Sequence, residues 1–95
     1  MVIVQMLQET GSFAENKDIA REIRLNKLTP ALAKGQEVTL DFSGITGATQ
    51  SFIHALISEL IREYGDDVFD KLYFKDCSPT VRQIVNIVAD YMEER

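Results

Sequence analysis

The hydrophobic pattern changes period around one stretch, and the other elements fall on either side of it. Val38, Leu40 and Phe42 alternate with Thr39 and Asp41, the period of a strand, in residue types that suit a pleated surface. The pattern stops for a loop containing Gly44 and Gly47. Ile53, Leu56, Ile57, Leu60, Ile61 and Tyr64 then recur at helical spacing, which predicts a helix from about Gln50 to Tyr64 ended by Gly65. On that helix His54, Ser58, Glu59, Arg62 and Glu63 are expected to face water. Strand, loop and helix start therefore follow one another directly, and in α/β folds the carboxyl ends of strands are where sites tend to form.

Upstream, Val2 to Leu7 reads as a strand with enough consecutive apolar residues to be buried on both faces. Thr10-Gly11-Ser12 is a turn signal, and Ser12 to Ala14 reads as a short returning strand of a hairpin. From Glu15 the pattern is helical but out of phase with itself: Ile19, Ala20 and Ile23 form one stripe, and Leu25, Leu28 and Leu32 another. Pro30 predicts a helix over about residues 15–28, a kink, and a short second piece with Thr29 as its cap and Gly35 closing it. Downstream, residues 70–75 read as a strand centred on Leu72 to Phe74. Ser78 and Pro79 open a last helix whose stripe is Val81, Ile84, Val85, Val88, Tyr91 and Met92. Strand–helix–strand alternation with long crossovers predicts parallel pairing and right-handed connections. The expectation is a small α/β domain over residues 1–95, with a mostly parallel central sheet flanked by helices.

Composition narrows the chemistry. A net charge of −5 offers no general attraction to phosphate backbones and argues against a nucleic-acid partner. The single Cys77 excludes an internal disulfide and fits a reducing compartment. The start lacks a basic segment and cleavage site, and no apolar run approaches the ~20 residues of a membrane span. A cytoplasmic protein is expected, with no membrane partner. His54 is the only histidine, so a zinc site has no ligand set. Asp66, Asp67 and Asp70 read as a solvated turn and Cys77 as a semi-buried thiol, while Lys17, Arg21, Arg24 and Lys27 form a basic stripe that reads as a solvated face or as a docking surface for an acidic partner. No nucleophile–base pair is visible, so neither catalytic residues, metal nor cofactor are expected.

The loop is the richest candidate. Ser43, Thr46, Thr49 and Ser51 bring four hydroxyls to a helix start, where free N–H groups can hold an anion. The stretch lacks the lysine of a P-loop and the full dinucleotide glycine pattern. A tight turn with Thr49 or Ser51 as N-cap accounts for the same residues.

With these residues in view, the chain resembles the STAS domains (sulfate transporter and anti-sigma factor antagonist), and more closely the bacterial STAS-like families of unknown function. Val38-Thr-Leu-Asp-Phe-Ser-Gly-Ile45 is similar to their central strand, apolar–x–apolar–Asp–apolar–Ser–x–Val. The hydroxyl-bearing loop into Phe52-Ile-His-Ala-Leu-Ile-Ser-Glu-Leu60 is the second likeness, and Ser78-Pro-Thr-Val-Arg82, similar to Ser-Pro-x-Val-Lys/Arg, is the third. The resemblance implies a STAS-like fold. It also implies a non-enzymatic regulatory or docking module that binds a protein partner, a histidine-kinase-like ATPase or an anti-sigma-type protein, through residues 43–52 and the following helix. Ser43, Thr46, Gly47, Thr49, Gln50, Ser51 and His54 are the candidate partner-binding residues. In anti-sigma antagonists a serine in Asp-Ser-Ser-Gly is phosphorylated at this helix start. That serine falls on Gln50, the aspartate on Thr49 and the second serine on Ser51, which leaves Thr49 and Ser51 as candidate phosphoacceptors. Two alternatives stand beside the docking reading: a sensor of an anion or nucleotide at the same helix start, and a homodimeric self-association module.

Overall fold

A computed structural model describes residues 1–93 of the chain. The elements in order are β1 (Val2–Gln5), α1 (Met6–Thr10), β2 (Phe13–Ala14), α2 (Lys17–Ile23), a π-helical turn (Arg24–Leu28) and α3 (Thr29–Ala33). There follow β3 (Val38–Asp41), β4 (Gly47–Ala48), α4 (Gln50–Tyr64), a 3₁₀ turn (Gly65–Asp70), β5 (Leu72–Lys75) and α5 (Pro79–Glu93). β3 lies between β1 and β5, and both pairings are parallel, with Val4 opposite Leu40 and Leu40 opposite Phe74. This is the α/β architecture expected: parallel strands, the 38–41 strand central, helices packed on the sheet.

Alternation along the strands shows which sheet face carries the core. Val4, Val38, Leu40 and Leu72 are buried, whereas Ile3 and Tyr73, on the opposite face, are exposed. The buried face packs beneath α2, α4 and α5, with Ile23, Phe52, Leu56, Ile57, Val81 and Val88 among the residues that fill the interior. Phe42, just past the end of β3, is also fully buried, and its ring lies 6.1 Å from that of Phe74. Parallel sheets are usually covered on both faces. Here one is, and the row Ile3–Thr39–Tyr73 runs across the other.

Several local expectations need correction. The first strand ends at Gln5, and Met6 to Thr10 turn into a helix instead of continuing it. β1 is an edge strand with Ile3 56% exposed, so it is not buried on both faces. Phe13–Ala14 do not fold back as a hairpin: they pair in parallel with Gly47–Ala48, which lie 34 positions further along.

The largest correction is at Pro30. Residues 17–33 form one unbroken helical run, and Thr29 keeps α geometry (φ −60°, ψ −46°) and offers no capping bond. A proline ring collides with the carbonyl four residues back and removes a donor. The chain answers by widening: the Thr29 N–H donates to the Arg24 carbonyl, five residues back. The wider turn also accounts for the phase shift in the apolar pattern. Ile23 and Leu28, five apart, would diverge by about 140° on an α-helix, yet both are buried. Leu25, assigned to the second stripe, is 51% exposed. Gly35 (φ +76°) follows the end of α3, as expected.

α4 begins and ends as the periodicity predicts, capped by Thr49 and stopped at Gly65. Ser58 departs from its expected solvent position and is buried. Ser78 caps α5 by accepting from the Val81 N–H at 3.2 Å, while Tyr91, placed on the apolar stripe, is exposed.

Leu40 is fully inaccessible at the centre of the sheet. Leu40→Ala should cost about 2–5 kcal/mol in chemical denaturation through the cavity it leaves. Amides of 38–42 should exchange only on global unfolding; rapid exchange there would contradict a central position for β3.

Candidate functional site

The site is built on the shortest pairing in the fold. Phe13–Ala14 and Gly47–Ala48 run parallel, and each pair leads within a few residues into a helix. The Thr49 N–H donates to the Ala14 carbonyl at 2.9 Å, and the Thr46 N–H to the Ser12 carbonyl at 2.8 Å. The starts of α2 and α4 therefore lie side by side. Asn16 caps the first, its Oδ1 accepting from the Asp18 N–H at 2.9 Å. Thr49 caps the second, its Oγ1 accepting from the Phe52 N–H at 3.1 Å. Both caps are the short polar types that satisfy first-turn N–H groups.

Two glycines allow close approaches in this loop. A Cβ on Gly47 would sit 2.9 Å from Phe13 Cε1, so the Phe13 ring seated there would have to move to admit a side chain. Gly44 has φ +82°, and a Cβ on it would lie 2.9 Å from Leu7 Cδ2.

The seven candidate residues separate into three groups. Thr46, Gly47 and Thr49 are occupied in holding the bracket: the Thr46 hydroxyl donates to the Ser12 carbonyl at 3.1 Å, and Thr49 is the cap. Ser43 lies apart, at the carboxyl end of the sheet. Gln50, Ser51 and His54 line a shallow groove of about 470 Å³ with Ala55 and Lys17. His54 is half-buried, not simply on the surface, with its ring 6.3 Å from that of Tyr91. Lys17, which the sequence leaves within the basic stripe, lines the same groove. Parallel pairing of Phe13–Ala14 was the signal that would have placed it beside Gln50. The stripe itself is divided, since Arg24 donates to the Ala55 carbonyl at 3.1 Å and Lys27 is paired with Glu9 at 2.5 Å.

The groove combines an ammonium group with two neighbouring helix starts, whose exposed N–H ends favour negative charge. Among the described residues no group of three or more His, Cys, Asp or Glu is placed to hold a metal ion, and no helix is long and apolar enough to cross a membrane.

The sequence model of the STAS-like domain of unknown function (DUF4325) matches residues 20–82, about two-thirds of the chain. The chain belongs to this STAS-like family. No curated protein and no solved structure matches it. The matched span of the STAS-like domain takes in the whole loop and α4 and ends in the first turn of α5, while β1, β2 and Lys17 precede it.

At the carboxyl end of the STAS-like sheet, Asp41 accepts from both the N–H and the hydroxyl of Ser43, at 2.9 and 2.6 Å. Asp76, which takes a left-handed φ of +56°, brings Oδ2 to 3.0 Å from the same hydroxyl oxygen. One hydroxyl proton cannot serve both carboxylates, and the shorter contact assigns it to Asp41. The hydroxyl and N–H of Ser43, in that order, hold the Asp41 carboxyl below its ordinary value, against some desolvation and with help from Lys75. A carboxylate so stabilised is a poor base, so the Ser43–Asp41 contact is a turn lock and not an activated nucleophile. Burial pushes the Cys77 thiol up, with Arg82 opposing, which favours the thiol over the reactive thiolate.

Because the Asp41 pKa is lower in the fold than the ~3.9 of an unfolded aspartate, its contribution to stability is complete above about pH 4. It is lost as pH falls through the folded value. Asp41→Asn should therefore flatten the acid limb of a stability–pH curve, and Ser43→Ala should raise the Asp41 pKa in a carboxyl NMR titration. An unchanged pKa in Ser43→Ala would remove Ser43 as its cause.

Proposed function

We propose that this STAS-like domain is a non-enzymatic regulatory or docking module. It receives a protein partner, of histidine-kinase-like ATPase or anti-sigma type, at the paired starts of α2 and α4. One observation carries this reading. The loop hydroxyls of Thr46 and Thr49 are occupied internally, whereas Lys17, Gln50, Ser51 and His54 remain open to a shared groove on a pre-formed scaffold. Such a surface needs little ordering on association, which lowers the entropic cost of binding. A second reading, a small anion held in the same groove, is favoured by the neighbouring helix starts and Lys17.

The same geometry bears on the phosphorylation switch. By the resemblance to anti-sigma factor antagonists, Gln50 stands where their phosphoserine falls. Thr49 is half-buried and committed to capping, while Ser51 is exposed one residue further on. A helical step of one residue rotates a side chain by about 100°. A phosphate on Ser51 would thus meet a partner from another direction. The binding surface persists here without the switch.

The test is affinity capture from the native host with wild-type and Lys17→Glu protein as parallel baits, followed by binding measurements on whatever distinguishes them. Lys17→Glu should weaken the captured partner about tenfold, and Ser51→Ala should stay within about threefold, less than 1 kcal/mol. Equal retention by both baits would move the interface elsewhere. Thermal stabilisation by phosphate or ATP alone, lost in Lys17→Glu, would favour the anion reading. Intact mass after incubation with partner and ATP should be unchanged. One added phosphoryl group on Thr49 or Ser51 would show that the switch is retained.

A further inference from the structure

The two edges of the sheet differ. In the parallel ladder Val2 donates to the Glu37 carbonyl, so Val2 and Val4 bond inward to β3, while the N–H groups of Ile3 and Gln5 point away from the sheet. On the β5 edge the corresponding outward carbonyl, that of Phe74, accepts from the Arg82 guanidinium at 3.0 Å, and Lys71 and Lys75 flank the strand. On the β1 edge, among the described residues, no side chain bonds an outward backbone group of Ile3. The strand sequence Val2-Ile-Val-Gln5 holds no charge and no proline, the devices that normally blunt an edge.

A groove of about 390 Å³ runs along that edge, with Val2, Ile3 and Val4 on one side and Lys27, Pro30 and Lys34 on the other. Its walls supply what an added strand needs: backbone donors and acceptors on β1, and apolar contact from Pro30 on the opposite side. Its ends are basic. Lys27 is shared with Glu9, and among the described residues Lys34 has no ion-pair partner. We propose that the β1 edge is a strand-addition site for an extended, acidic segment of a partner protein, of the pattern acidic–x–apolar–x–acidic. Same-face residues four apart in a strand are separated by about 13 Å. Lys27 and Lys34, seven apart on the helix, are separated by about 10 Å along its axis, within reach of two lysine side chains.

A second copy of this chain fits the edge less well. A two-fold β1–β1 pairing would set the helices of both copies on one side of the seam, with lysines facing lysines, and the uncharged β1 strand brings no carboxylate to meet them. The site lies apart from the α2–α4 groove and does not rest on the function proposed for it.

The probe is the labelled heptapeptide acetyl-Thr-Glu-Thr-Ile-Thr-Glu-Thr-amide, titrated by fluorescence anisotropy, with the Glu→Lys peptide as control. Ile3→Pro removes an outward N–H that the fold does not use, a position where proline is tolerated. It should abolish binding while circular dichroism and melting remain close to wild type. Lys34→Glu, which places no demand on the strand, should weaken the acidic peptide at least about fivefold. Arg62→Glu, an equal charge change on α4, should leave binding unchanged. The Ile3 and Gln5 amides should become protected from exchange on saturation. Binding that survives both Ile3→Pro and Lys34→Glu, or no binding of the acidic peptide by wild type, would overturn the proposal. So would a concentration-dependent dimer that Ile3→Pro makes monomeric, since the occupant would then be a second copy.

Discussion

Two residues of parallel pairing, Phe13–Ala14 against Gly47–Ala48, decide where both α2 and α4 begin. So short a ladder has little stability of its own. It is held by what surrounds it: the Thr46 and Thr49 amides bonding to Ser12 and Ala14 carbonyls, Phe13 seated against Gly47 in the place of a side chain, and buried Ile45 and Ala48 in the core. The consequence is positional. Helices that start from neighbouring strand ends must present their first turns together, so the caps Asn16 and Thr49, the ammonium of Lys17 and the open side chains of Gln50 and His54 converge without any further contact to draw them in.

Much of the fold was legible because its signals agreed with one another. For α4 the apolar stripe, the threonine cap and the terminating glycine all point to the same bounds, and consistency across levels is what makes a local reading reliable. β3 was legible for the same reason. The run through Pro30 was not, because the rule that proline breaks a helix is a statement about α geometry. A π turn obeys the same steric constraint in another way, by widening over Arg24–Leu28 so that both Ile23 and Leu28 still reach the core. The out-of-phase stripes recorded that turn, but they were equally compatible with a break. β1 misled for a different cause: a run of apolar residues does not distinguish a strand buried on both faces from a short edge strand that turns into α1.

The candidate site was legible in outline and not in detail. The loop and helix start were identified by their hydroxyls, yet in the fold most of those hydroxyls serve the loop itself. Thr46 and Thr49 hold backbone groups, and Ser43 locks its turn against Asp41. Composition locates such residues but cannot say whether their polar atoms are committed inward or left for a partner, since that depends on which backbone groups the fold leaves unsatisfied nearby. Lys17 shows the converse. Nothing in its immediate sequence marks it, and only the non-local pairing of β2 with β4 brings it to the groove beside Gln50.

The same distinction between charge and available charge governs the basic residues. In a chain of net charge −5, the lysines and arginines of residues 17–27 read as one stripe. The π turn and the tertiary contacts divide them. Arg24 is turned in to a helix carbonyl on α4, Lys27 is tied to Glu9 beside the β1 edge, and Lys17 stands at the helix starts. Two small positive regions result, at separate places on a molecule of negative net charge, each beside backbone N–H groups that face outward. Net repulsion keeps acidic surfaces at a distance except where a local dipole or lysine reverses the sign. An acidic partner therefore finds favourable charge at both of these places, and what it meets there differs: side chains and helix ends in one groove, an open strand edge in the other. Charge selects where contact occurs, and the geometry beneath it selects the shape of what can bind.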